Sequence, residues 1–198
     1  MKRCKPFAAA AIAVMIIAGG CCVRPPEPAT QAAGITGAIT GAGQAAFVAQ
    51  SGLASPHLEK SVQAVVAPPE GWSAEPLKSS GRHKHQLWIS PSGKTAYGVI
   101  NIPLPLPISS EFMLPFFLSE MRRSEGEATL LSRQYDEALH ALRFEADGNL
   151  YRIRTNLIVR GTEAWAVYAG TVRSKPVDND ELDLAVRARE HTIVGKNQ

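Results

Sequence analysis

Residues 138–173 read ALHALRFEADGNLYRIRTNLIVRGTEAWAVYAGTVR, and the fold turns on how this stretch pairs with itself. Apolar and polar residues alternate through it with period two, the signature of extended strands. Asp147-Gly148 is a strong two-residue turn pair between Ala138 to Ala146 and Asn149 to Arg160, and a hairpin about it sets Phe144 against Tyr151 and Leu142 against Ile153. Gly161-Thr162 then turns the chain into Glu163 to Arg173, with Arg160 beside Glu163 and Ile158 beside Trp165. Three strands in an antiparallel meander follow. One face carries Tyr151, Ile153, Leu157, Val159, Ala164, Ala166 and Tyr168, while the other still shows Ile158, Trp165 and Val167. A sheet that is apolar on both faces needs cover on both.

Working outward, Arg82 to Ser90 and Thr95 to Ile102 form a second hairpin about Ser92-Gly93, which places Trp88 opposite Tyr97 and Ile89 opposite Ala96. Cover is available from two helical segments, Ser109 to Ser124 and Asp178 to His191. The second starts with Asp178 and Glu181 at capping-box spacing and continues with Leu182, Ala185, Val186 and Arg189. The first is apolar nearly all round (Phe112, Met113, Leu114, Phe116, Phe117, Leu118, Met121), with Pro115 expected to start or kink it. It is therefore read as core packing, with a partner contact as the competing reading. The expected fold is α+β, an antiparallel meander sheet with helices on both faces, in a globular domain of residues 62–198.

The chain has 198 residues with 18 Asp+Glu, 21 Lys+Arg and three cysteines, enough for one ordinary domain with additions. Lys2, Arg3 and Lys5 are the only charged residues among the first twenty, and the remainder balances at 18 basic against 18 acidic. That neutrality argues against a nucleic-acid partner. All cysteines (Cys4, Cys21, Cys22) fall within the first 22 residues, so no disulfide, thiol nucleophile or cysteine-ligated metal is expected in the domain. Met1 to Lys5 form a positive n-region and Phe7 to Ala18 an apolar run shorter than the roughly 20 residues a bilayer span needs.

Ile17-Ala18-Gly19-Gly20-Cys21 resembles the bacterial lipobox, with Ala18 standing where that family usually has leucine. The resemblance implies a signal peptide over residues 1–20 and a diacylglycerol on Cys21. An ordinary secretory signal or uncleaved anchor is the plainer reading of the cysteine pair. Cleavage before Cys22 would put Cys21 where Gly, Ala or Ser is normal, so Cys21 is preferred. By resemblance to enterobacterial sorting, the non-aspartate Cys22 implies the periplasmic face of the outer membrane over the inner membrane. Residues 21–61 read as anchor and tether: Arg24-Pro25-Pro26-Glu27-Pro28 is extended, and Ala29 to Pro56 is uncharged and rich in Ala, Gly and Thr. Gly37 and Gly41 make a GxxxG that competes as a glycine zipper.

Pro68-Pro69-Glu70-Gly71-Trp72, the meander ending in Gly161 to Thr171 and the closing acidic helix together resemble the PsbP-like and DcrB-type α/β/α sandwich over about Val66 to Val194. The resemblance implies a non-catalytic accessory or binding protein, often exported. No family metal or docking residue maps onto this chain.

Candidate chemistry is sparse. Ser92-Gly93-Lys94-Thr95 has the tail of a phosphate loop, but it leads into a strand, so no helix N-terminus is present to receive a phosphate. His83 and His85 share one face of a strand and make a candidate metal pair in apolar surroundings that lack a third ligand, which His57, His140 or His191 could supply only through the tertiary arrangement. No G-x-S-x-G occurs. The ribbon Ile102-Pro103-Leu104-Pro105-Leu106-Pro107-Ile108 is stiffened by alternating prolines, making Leu104, Pro105 and Leu106 candidates for partner docking, with Trp165 a fourth if its face is open. The expectation is an envelope lipoprotein that binds without catalysis and without a cofactor. It would meet the membrane through its acyl chains, with an envelope protein as a possible partner. The alternative is an exported hydrolase or metalloenzyme using His83 and His85.

Overall fold

The computed structural model describes residues 52–80 and 83–195 of the chain. Cys21, the proline-rich spacer and the GxxxG lie outside the described residues.

Turn chemistry organises the sheet. Strands β5 (His83–Ile89) and β6 (Thr95–Pro103) pair with Trp88 opposite Tyr97 and Ile89 opposite Ala96, the register expected for a turn at Ser92-Gly93. Gly93 takes φ 65°, a left-handed value that glycine adopts without a Cβ penalty. Strands β9 (Tyr151–Arg160) and β10 (Glu163–Val172) pair with Arg160 opposite Glu163 and Ile158 opposite Trp165, also as expected. With β3 (Ser73–Ala74), β4 (Lys78–Ser80), β7 (Ala128–Asp136) and β8 (Ala141–Gly148), they build an eight-stranded antiparallel sheet. Its order is β3-β5-β6-β10-β9-β8-β7, with β4 also paired to β5. A small sheet joins β1 (His57–Glu59), β2 (Ala64–Val66) and β11 (Ile193–Val194). The fold is mixed α+β, mostly antiparallel, with helices α1 (Ser110–Glu125) and α2 (Asn179–His191) among the described residues.

Both helices begin at the expected segment starts, Ser109 and Asp178, which serve as their N-caps. The Ser109 hydroxyl accepts from the Phe112 amide, and Gly126 closes α1 in the left-handed region at φ 82°. The Asp178 side chain accepts from the Glu181 amide at the start of α2. Pro115 lies inside α1 rather than at its start. Successive residues of β10 enter two separate cores. Ala164, Ala166 and Tyr168 join Leu87, Ile100, Ile153 and Leu157 with Met113, Phe117 and Met121 of α1. Trp165, Val167 and Ala169 join Val62, Val66, Tyr97 and Val99 with Ala185 and Ala188 of α2. Helix α1 is not buried all round: Phe112 is 73% exposed and Phe116 47%.

Three features differ from the sequence reading. The hairpin of β8 and β9 does not turn at Asp147-Gly148, since Asp147 pairs with Arg152, Ala146 with Ile153 and Phe144 with Thr155. Asn149 and Leu150 carry the turn instead, and the partner of each β8 residue moves by four, an even shift that keeps every side chain on its face. The cause lies at the end of α1, where one Glu125 carboxylate oxygen accepts from the amides of Leu150 (3.0 Å) and Tyr151 (3.3 Å). The Asn149 side chain donates to the Glu125 carbonyl at 2.8 Å.

Strand β7 has no counterpart in the sequence pattern. Its sequence ATLLSRQYD is largely exposed at the sheet edge, with a register shift between Leu130 and Ser132, so no period-two apolar signal marks it.

The folded region also reaches upstream of Val62. Leu53 is fully buried in the core around Trp165 and bridges to Pro69, and β1 pairs with β2. This stretch gives no sequence signal because one buried leucine and a three-residue strand carry no periodicity.

A candidate ligand-binding cleft

The β7–β8 connection is built around Asp136. One of its carboxylate oxygens accepts from the Leu139 amide at 3.1 Å, and the other pairs with Arg143 at 2.9 Å. This tight turn holds His140 at φ 48°, a left-handed conformation unusual for a residue with a Cβ and found preferentially where surrounding structure over-determines it. The loop after β6 is pinned to the β9–β10 turn by the Leu104 amide, which donates to the Thr162 carbonyl at 2.8 Å. Arg160, at the end of β9, donates to the Gly195 carbonyl at 2.8 Å.

These features converge on a cleft of about 730 Å³ lined by Ile108, Ser109, Ser110, Glu111, Tyr135, His140, Val159 and Arg160. Helix α1 contributes its start, β7 its end, the β7–β8 turn its histidine and β9 its last two residues. Val159 and Ile108 pack against the core and supply an apolar floor. The rim holds a carboxylate, a guanidinium, an imidazole and a phenol. A small ligand with an apolar body and polar groups at its edge fits such a lining.

Among the described residues, the candidate site residues His83, His85, Leu104, Pro105, Leu106 and Trp165 do not line this cleft, whereas Ile108 at the end of the proline-stiffened ribbon does. His85 is 7% exposed, and its Nε2 shares a 2.7 Å hydrogen bond with the Tyr168 hydroxyl. Burial, assisted by the positive charge of Lys78, lowers its pKa to about 4, so the imidazole is neutral at pH 7. The nitrogen facing Tyr168 is already engaged. His83 precedes it on β5, half-buried. Among the described residues, no three His, Cys, Asp or Glu side chains gather where they could hold a metal ion.

Trp165 is no docking residue. It is 1% exposed, and its indole N–H donates to the Val62 carbonyl at 2.9 Å, because the face it occupies is filled by Val62, Val66 and α2. The ribbon splits: Leu104 packs inward, whereas Pro105 is exposed and Leu106 is 57% exposed. Ser92-Gly93-Lys94-Thr95 is a hairpin turn whose Ser92 hydroxyl donates to Glu181 at 2.5 Å, tying the turn to α2. Cys21 lies outside the described residues.

The cleft escaped the sequence because its wall comes from four separated segments. The one local sign was a histidine just before an apolar strand. Comparison of the chain with known protein families and with curated proteins finds no match.

Proposed function

We propose that this chain is a cell-envelope lipoprotein whose domain binds a small ligand in the cleft between α1 and the β7–β8 turn without acting on it chemically. In this reading Cys21 carries the lipid, the chain sits on the periplasmic face of the outer membrane, and the domain is an α/β/α sandwich of the PsbP-like kind. The layering is supported by the two cores into which β10 sends alternate side chains, one with α1 and one with α2. The observation that carries the binding reading is the cleft itself, with its apolar floor and a rim bearing Glu111, His140 and Arg160.

The test is native mass spectrometry of the chain extracted from its own envelope, set beside the rim variant Glu111→Arg. A small molecule that travels with the wild-type chain and is lost from Glu111→Arg is the expected result. A wild-type chain that carries nothing, or a species retained equally by the variant, counts against the cleft. The anchor is tested separately by labelling cells with a fatty-acid analogue. Label should appear on the wild type and vanish in Cys21→Ser, since serine offers no thioether.

A further inference from the structure

The ribbon after β6 is pinned at both ends and exposed in the middle. Leu104 and Ile108 turn into the core, while Pro105, Leu106 and Pro107 face solvent. Helix α1 begins two residues later and presents Phe112 and Phe116, one turn apart, with 73% and 47% exposure. Leu106, Phe112 and Phe116 are thus three large apolar groups held outward by a proline-stiffened ribbon and a capped helix. Ordering such rigid elements on docking has little entropic cost.

Their size decides what they fit. A side chain of this kind buries at most roughly 150–250 Å², and these three are only partly exposed, whereas a free-standing protein interface needs about 800 Å² per partner. A bilayer sets no such minimum when the domain is already confined beside it. Thirty residues lie between Cys21 and Gly52, and whatever their conformation this stretch spans at most about 110 Å.

We propose that Leu106, Phe112 and Phe116 form a second, reversible membrane contact that seats the domain on the lipid surface to which its amino terminus is attached. This rests on the reading that the chain is membrane-anchored. Apart from the buried Glu125, the helix bears Glu111 and Glu120 against Arg122 and Arg123, so the contact is apolar rather than electrostatic and needs no anionic lipid. Because Ser110 and Glu111 line the cleft and immediately precede Phe112, seating also brings that wall of the cleft to the headgroup level.

The full chain carrying Phe112→Trp, extracted from its envelope and reconstituted into phosphatidylethanolamine–phosphatidylglycerol vesicles, provides the test. Some acyl chains are brominated, and the emission added over the wild type is followed. The proposal expects most of that added emission to be quenched, equally at low and high salt, and to recover when Leu106→Ser and Phe116→Ser are introduced. Added emission untouched by bromolipid overturns it. Absence of quenching with a concentration-dependent blue shift would assign the patch to a second copy, also overturning it. Fatty-acid labelling of the same preparation reads the anchor independently: label without quenching sinks this proposal alone, and quenching without label sinks only the acylation of Cys21.

Discussion

The carboxylate of Glu125 occupies the space over Gly148 in which any other residue would place its Cβ. This one juxtaposition joins the end of α1 to the end of β8 and explains the turn between β8 and β9. Gly148 serves as a gap for a carboxylate and not as a flexible turn residue, for it lies in the extended strand while Asn149 and Leu150 make the bend. Met121 crowds the same position. Gly148→Ala is therefore expected to destabilise the fold by about 1–3 kcal/mol through overpacking. Urea denaturation measures it, and a neutral effect would show that Glu125 moves aside freely.

The same carboxyl predicts a pH effect. Burial raises the Glu125 pKa, partly countered by the amides of Leu150 and Tyr151, with Asp147 adding a repulsive push upward. A raised folded-state pKa means the native protein holds its proton where the unfolded chain has lost it. The stabilising contribution is present at low pH and fades as pH rises through the folded value. Glu125→Gln cannot ionise, so it should flatten the stability–pH curve in the carboxylate range and be at least as stable as wild type at neutral pH. Lower neutral-pH stability would mean that the charged form's hydrogen bonds outweigh its burial.

His85 works in the opposite direction. Its pKa falls from 6.5 to about 4, so below pH 6.5 the unfolded chain takes up a proton that the native imidazole refuses. Stability is complete above the unfolded value and declines on acidification until the native group also protonates near pH 4. The loss amounts to about 3 kcal/mol. His85→Gln keeps a polar group near the Tyr168 hydroxyl and should remove most of that decline. Chemical denaturation at pH 7 and pH 4 compares the two chains, and parallel pH curves would refute the assignment.

What the sequence showed depended on local pattern. Turn pairs flanked by period-two runs placed Trp88 against Tyr97 and Ile158 against Trp165, and the expected segment starts at Ser109 and Asp178 coincide with the N-caps of the two helices. The β8–β9 register failed because its determinant, Glu125, is 23 residues upstream of Gly148 and declares itself only in three dimensions. Strand β7 was invisible because an edge strand with exposed Arg133 and Tyr135 needs no apolar alternation. The cleft, assembled from residues between Ile108 and Arg160, has no sequence period at all.

Trp165 now has a defined energetic role. Its side chain is sealed between Val62, Ile158 and α2, and its N–H satisfies the Val62 carbonyl. Trp165→Ala should destabilise by about 3–5 kcal/mol. Trp165→Phe retains most of the packing but leaves that carbonyl unpaired, a loss of about 1–3 kcal/mol. Thermal unfolding of both variants separates the two contributions. Near-wild-type stability in Trp165→Ala would contradict a filled core on this face.

The amino-terminal boundary can be tested by the same logic. Leu53 is fully buried with Trp165, the Ala54 amide donates to the Pro68 carbonyl at 2.8 Å, and β1 adds a strand to β2. A chain begun at Ser61 discards all three and uncovers Val62 and Val66, whereas a chain begun at Gly52 retains them. Leu53→Ala alone should destabilise by about 2–5 kcal/mol. The shorter chain should lose at least as much, because it also forfeits the β1 hydrogen bonds and bares the apolar edge of the small sheet. Urea midpoints compare the two truncations, with sedimentation to reveal association. Equal midpoints would return residues 52–60 to the tether. A deficit matched by Leu53→Ala would locate the loss in that one buried side chain, while a larger deficit would show that β1 contributes in its own right.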